Sequence, residues 1–138
     1  MPTTTALTPA GTSLSDGFIP ESTHVNVNFN KSVINGVNYT NAMVISVGST
    51  PGEVQINAGR SYTHFTGQLG IPDDQKSSSA YKVDISVDNA APILSTEVHF
   101  GETKTVNLNV SNALRIKIAV SGNGYGGNVA IGNPTLGS

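Results

Sequence analysis

The run Ser61-Tyr62-Thr63-His64-Phe65-Thr66-Gly67-Gln68-Leu69-Gly70-Ile71-Pro72-Asp73-Asp74 carries the pattern that decides the fold. Phe65, Gly67 and Leu69 fall on one face of an extended chain and Thr66 and Gln68 on the other, the two-residue period of a strand buried on one side. The alternation stops at Gly70-Ile71-Pro72-Asp73-Asp74. Proline presets φ there and aspartate bonds nearby backbone, so a turn is expected that leaves two carboxylates in a loop. A core strand running into a fixed acidic loop is a way to hold a binding edge on a rigid sheet.

The same period recurs on both sides of this run. Upstream, His24 to Asn30 alternate so that Val25, Val27 and Phe29 point inward. Asn35-Gly36 reads as a hairpin turn because both residues tolerate positive φ. A strand is expected around residues 42–46, and another at 53–57 with Val54 and Ile56 inward. Downstream, Tyr81, Val83, Ile85 and Val87 make one apolar row. A strand near residues 93–100 follows, then the rows Val106, Leu108, Val110 and Leu114, Ile116, Ile118, Val120. The glycine-rich segment 121–127 precedes a last short strand at 128–131. No stretch sustains the 3.6-residue period of an amphipathic helix. Short strands spaced by turn residues predict an all-β chain, an antiparallel β-sandwich whose two sheets face each other to bury these single-sided rows. Residues 1–17, rich in Thr, Pro, Ala and Gly, are expected as a flexible arm or linker, and 18–138 as one sandwich domain.

Composition removes several function classes. Seven Lys and Arg against nine Asp and Glu leave a net charge of −2 with no basic cluster, so nucleic acid is not an expected partner. Cysteine is absent, which rules out thiolate chemistry, zinc-thiolate sites and disulfides. The apolar runs are only a few residues long, so no helical membrane insertion is expected. Met1-Pro2-Thr3-Thr4-Thr5 has neither the basic nor the apolar region of a secretory signal. Either the chain stays inside the cell that makes it, or a leader was removed and Met1 was added.

Catalysis finds little support. His24, His64 and His99 each lie in an expected strand, far apart in sequence, and no Gly-x-Ser-x-Gly elbow is present. Asp73 and Asp74 are adjacent, so their side chains diverge rather than flank a scissile bond. No catalytic residue and no cofactor are therefore expected. Asp73, Asp74 and loop carbonyls could offer oxygen ligands to a structural calcium ion, but no spaced Asp/Asn ladder exists. The simpler reading is a solvated turn in which one aspartate caps backbone amides.

The order of motifs resembles the NPCBM group of carbohydrate-binding modules, which share the galactose-binding-like jelly-roll sandwich. Ser13-Leu14-Ser15-Asp16 resembles its opening element. Tyr62 to Asp74 is similar to its Tyr-x-x-Phe strand entering an acidic loop, and Tyr81 to Asp88 to the strand after it. Ala113 to Ile118, with Asn133-Pro134-Thr135-Leu136, resembles its closing strands. The resemblance spans nearly the whole chain. It departs at 126–134, where the family's acidic, often histidine-containing segment is replaced by Gly, Asn, Val, Ala and Ile.

What the resemblance implies is a non-catalytic module that binds a glycan or polysaccharide through loops at one end of the sandwich. Sugar binding needs an aromatic face for the apolar side of the ring and directed polar groups for its hydroxyls. Tyr125, Tyr39 and Tyr62 are the aromatic candidates; Arg60, Asp73, Asp74, Asn123 and Asn128 are the polar ones. Such a module is expected outside the cell, on a cell surface or on a virion surface. The rival expectation is a structural, decoration or adhesion protein of a surface assembly such as a virion. In that reading the N-terminal arm straps the sandwich to homo-oligomer or assembly neighbours.

Overall fold

The computed structural model describes residues 4–5, 12–14, 16–19, 21–47, 51–75, 80–88, 90–122 and 127–137. These residues form twelve strands: β1 (Thr4–Thr5), β2 (Thr12–Ser13), β3 (Glu21–Thr23), β4 (Val25–Ile34), β5 (Val37–Val47), β6 (Gly52–Asn57), β7 (His64–Gly70), β8 (Ala80–Val87), β9 (Leu94–His99), β10 (Thr103–Asn109), β11 (Arg115–Gly122) and β12 (Gly127–Gly137). One 3-10 turn at Asp16–Phe18 is the only helical segment among the described residues. Among the described residues no helix is long and apolar enough to cross a membrane.

The strands make two sheets. The larger runs β4–β5–β12–β7–β10, with β1 beside β5 and β2 beside β12; the smaller runs β3–β6–β11–β8–β9. All ladders are antiparallel except the two-residue pairing of β1 with β5. The inward rows read from sequence meet between the sheets, with Phe65, Leu69, Ile45 and Ile131 on one side and Ile56, Ile85, Ile116 and Ile118 on the other, each at most 1% exposed. The expected all-β antiparallel jelly-roll sandwich is the fold observed.

Three local expectations are corrected. The last strand is not a short 128–131 segment but the eleven-residue β12, which lies inside the larger sheet between β5 and β7. Asn133-Pro134, matched above to the family's closing strands, lies within β12. In the sheet it forms a bulge between Gly132 and Thr135, where a missing N–H is tolerated and the strand bends and continues. Leu114 is 40% exposed rather than inward. It precedes β11, where its N–H and that of Arg115 donate to the Asp88 carboxylate, so turn geometry sets its direction. His24 is not within a strand: at φ 62° it links β3 to β4 and carries the chain from one sheet to the other.

Within the segment expected as an arm, Thr4–Thr5 and Thr12–Ser13 occupy sheet positions and Leu14 is 1% exposed. The Leu14 N–H donates to the carbonyl of Pro134 at 2.9 Å.

The feature that shapes the surface is the tip of the β4–β5 hairpin. Asn35 and Gly36 have φ of 49° and 80°, the all-positive pair of a two-residue type I′ turn. A register shift between Asn30 and Ser32 bends the hairpin, and its tip folds over the outer face of the larger sheet. There Tyr39 lies on Gly132 of β12 and Ile34 on Gly70 of β7, close approaches that only a residue without Cβ permits. Ile34, Tyr39, Ala42 and Ala130 form a second small core outside the sandwich.

Candidate functional site: a cleft beneath the hairpin tip

The acidic loop holds this tip in place. Pro72 bridges to Ile34, and the Asp73 N–H donates to the Val33 carbonyl at 2.8 Å. Both Asp73 carboxylate oxygens accept backbone N–H groups from the turn, Oδ1 from Asn35 at 2.8 Å and Oδ2 from Gly36 at 2.9 Å. Asp73 is thus a clasp between the anchor strand's loop and the hairpin, the amide-capping role weighed for this turn. Asp74 points elsewhere, is exposed, and accepts from Gln75 Nε2 at 3.1 Å.

Where tip and loop meet they enclose an open cleft of about 640 Å³ lined by Lys31, Ser32, Val33, Asn38, Pro72, Asp73 and Asp74. Among the described residues, the side chains of Lys31, Ser32 and Asn38 make no hydrogen bond or ion pair, so their polar groups are free for a ligand. A second cleft of about 330 Å³ adjoins it, shares Lys31, Ser32, Pro72 and Asp74, and adds Asn128 at the start of β12. The Asn128 backbone N–H is held by Gln75 Oε1 at 3.0 Å, which fixes that residue beside the acidic loop. Among the described residues no group of three or more His, Asp or Glu could hold a metal ion.

The structure brings Asp73, Asp74 and Asn128 together. Tyr39 is next to them but beneath the surface, 4% exposed, with its ring against Gly132 and its phenol pushed above its ordinary range by burial. Arg60 and Tyr62 stand at the other end of β7. Arg60 donates its backbone N–H to Ala113 and its Nη1 to the Asn112 carbonyl, and Tyr62 is half-buried against the main core. Asn123 and Tyr125 lie outside the described residues. Lys31, Ser32 and Asn38 escaped the sequence reading, although a signal existed. A two-residue turn at Asn35-Gly36 fixes Ser32 opposite Tyr39 and Val33 opposite Asn38.

Fold and cleft together describe a jelly-roll sandwich of the galactose-binding-like kind with a polar recess beneath its β4–β5 hairpin tip. The chain belongs to the NPCBM/NEW2 domain family, which matches residues 6–133. No curated protein matches it in sequence. Among solved structures, it is similar to the CBM51 module from Clostridium perfringens GH95 in complex with methyl-galactose. The two are 14% identical, with 91% of this chain and 98% of that one covered and a TM-score of 0.69. It is also similar to CBM51-2 with INT domains of Clostridium perfringens ZmpB, in complex with GlcNAc. There the identity is 20%, coverage 91% of this chain and 31% of that one, and the TM-score 0.63. An exo-beta-agarase shares the fold over 94% of this chain and 24% of its own, at 10% identity and a TM-score of 0.62. Those two larger chains carry this fold as a minor part of their length.

Proposed function

We propose that this domain is a non-catalytic carbohydrate-binding module that holds a glycan in the cleft between the hairpin tip and the acidic loop. The observation that carries the reading is the set of unpaired polar side chains, Lys31, Ser32 and Asn38, converging with Asp74 on one recess. Sugar hydroxyls both donate and accept. A recess offering an ammonium, a hydroxyl, an amide and a carboxylate meets them in fixed directions. Rigidity supports it as well: the clasp orders the tip before any ligand arrives, so less ordering entropy opposes binding. Family membership and the sugar complexes of similar folds favour the same reading. Tyr125, two residues before β12 begins, is the aromatic we assign to the apolar face of the ring. The setting we assign is extracellular or on a surface, attached to a partner that acts on or anchors to the glycan.

Glycan-array screening followed by calorimetry tests this. A soluble glycan should bind the wild-type domain, and Lys31→Ala, Asn38→Ala and Asp74→Ala should each weaken it roughly three- to tenfold, the loss of one hydrogen bond to a charged or neutral partner. These residues line an open cleft, so thermal unfolding should be nearly unchanged. Full binding in all three variants would move the site elsewhere. No glycan bound by the wild type would end the proposal.

A further inference from the structure

The cleft does not end at Asn128. A third hollow of about 490 Å³, lined by Ile19, Ser22, Asn26, Val27, Asn28 and Ser46, continues along the outer face of the larger sheet and shares Asn28 and Ser46 with the second. The register explains its floor. Asn26, Ser46 and Asn128 lie abreast on β4, β5 and β12; Asn28 and Val44 follow on the next rung and Asn30 on the third. The other members of these two rungs, Ala130, Ala42 and Gly132, are buried against Ile34 and Tyr39 of the hairpin tip. Residues two apart on β4 repeat every ~7 Å, and neighbouring strands lie ~5 Å apart, so the amides form a regular ladder beside a low floor.

Two properties of this ladder matter. Every side chain named on it is uncharged, and the side chains of Asn26, Asn28, Ser46 and Asn128 make no hydrogen bond to other described residues. Asn26 and Asn28 are also exposed, and the half-buried Val44 beside Asn28 adds an apolar contact.

We infer that the ligand is a segment of an uncharged polysaccharide lying along this groove, with only one end of the segment in the cleft under the hairpin tip. The inference rests on the carbohydrate-binding reading and names its ligand class: a chain interior rather than a single terminal sugar. A ladder of neutral amides offers paired donors and acceptors to hydroxyl after hydroxyl along a polymer. The ladder itself offers no ion pair to a uronate or sulfated chain, and at its cleft end the single ammonium of Lys31 stands beside the carboxylates of Asp73 and Asp74, which leaves no net positive charge to hold one.

The test is calorimetry with methyl-galactoside, GlcNAc, and neutral agaro- and chito-oligosaccharides from disaccharide to hexasaccharide. It compares the wild type with Asn26→Ala/Asn28→Ala, two exposed positions whose change leaves the core intact. Affinity should climb at least about tenfold from monosaccharide to the longer oligomers of the preferred series. The double variant should lose most of that gain, about tenfold at two hydrogen bonds, while binding the monosaccharide as the wild type does. Equal affinity for short and long ligands, or a double variant indifferent to length, overturns the inference and leaves the cleft as a terminal-sugar site. A wild type that binds no member of either series overturns it too.

Discussion

Replacing Gly132 with alanine tests the packing on which the cleft depends. An added Cβ would lie 2.5 Å from Cδ1, 2.6 Å from Cγ and 2.8 Å from Cδ2 of Tyr39, where ordinary contact begins at 3.4 Å. The ring must therefore rise by about 1 Å, and two responses compete. Local accommodation costs about 1–3 kcal/mol of overpacking strain. Lifting the whole tip instead exposes Tyr39 and Ile34, each worth about 1.5–3 kcal/mol of burial, and breaks the two Asp73 hydrogen bonds. The second total exceeds the first, so the tip should stay down under strain.

Alanine also lowers the entropy of the unfolded chain, which offsets about 0.4–1 kcal/mol. The net loss expected is about 1–2 kcal/mol, a fall in Tm of roughly 3–8 °C for a domain of this size. Urea unfolding should show a lower midpoint at unchanged slope. In a Tyr39→Ala background the same substitution should cost almost nothing, because the clashing ring is gone. Gly132→Ala within about 0.5 kcal/mol of wild type, or equally costly in both backgrounds, would refute the account of the tip.

Three other outcomes follow from the same packing and hydrogen bonding. Asp73→Ala removes both acceptors from the Asn35-Gly36 turn and should cost about 1–2 kcal/mol in chemical denaturation, with glycan affinity falling alongside it; a variant as stable as wild type would show that the clasp is idle. Burial raises the phenol pKa of Tyr39 and Tyr81 above 10.0 in the folded chain. As pH climbs past 10.0 the unfolded chain gives up those protons first, so it binds fewer than the native state. Stability should accordingly hold below that pH and decline above it, less steeply in Tyr39→Phe; a flat urea midpoint across the range would contradict the burial. Arg115 keeps a buried Nη1 with no partner among the described residues, so Arg115→Met should be neutral or raise stability by up to about 1 kcal/mol in thermal melts, and a clear loss would mean the guanidinium is satisfied in solution.

The sandwich was legible because burial on one face writes itself into every second residue. Phe65, Gly67 and Leu69, or Val83 and Ile85, need no knowledge of their partners to declare a direction. The same local logic misread β12, since Pro134 excludes a regular ladder but not a bulge, and only the neighbouring strands reveal which applies. The site was half legible for a related reason. Asp73, Asp74 and Asn128 advertise their chemistry. That Ser32 and Asn38 join them depends on the bend between Asn30 and Ser32 and on Gly70 and Gly132 admitting Ile34 and Tyr39, contacts between residues far apart in sequence.

The two outer faces of the sandwich argue for one direction of recognition. On the smaller sheet, polar groups satisfy one another: Lys117 pairs with Glu53 at 3.8 Å, His99 with Glu97 at 2.7 Å, and Ser95 donates to Asp84. On the larger sheet the same is true toward its β10 edge, where Thr105 donates to Gln68. Toward β4 it is not: among the described residues the side chains of Asn26, Asn28 and Asn128 and of Lys31, Ser32 and Asn38 have no partner, and they line three adjoining hollows. A face whose polar groups are already paired gains little from a ligand, because each new hydrogen bond displaces an existing one. A face of unpaired amides and hydroxyls exchanges only water, and a polyol that matches their spacing keeps the difference as affinity.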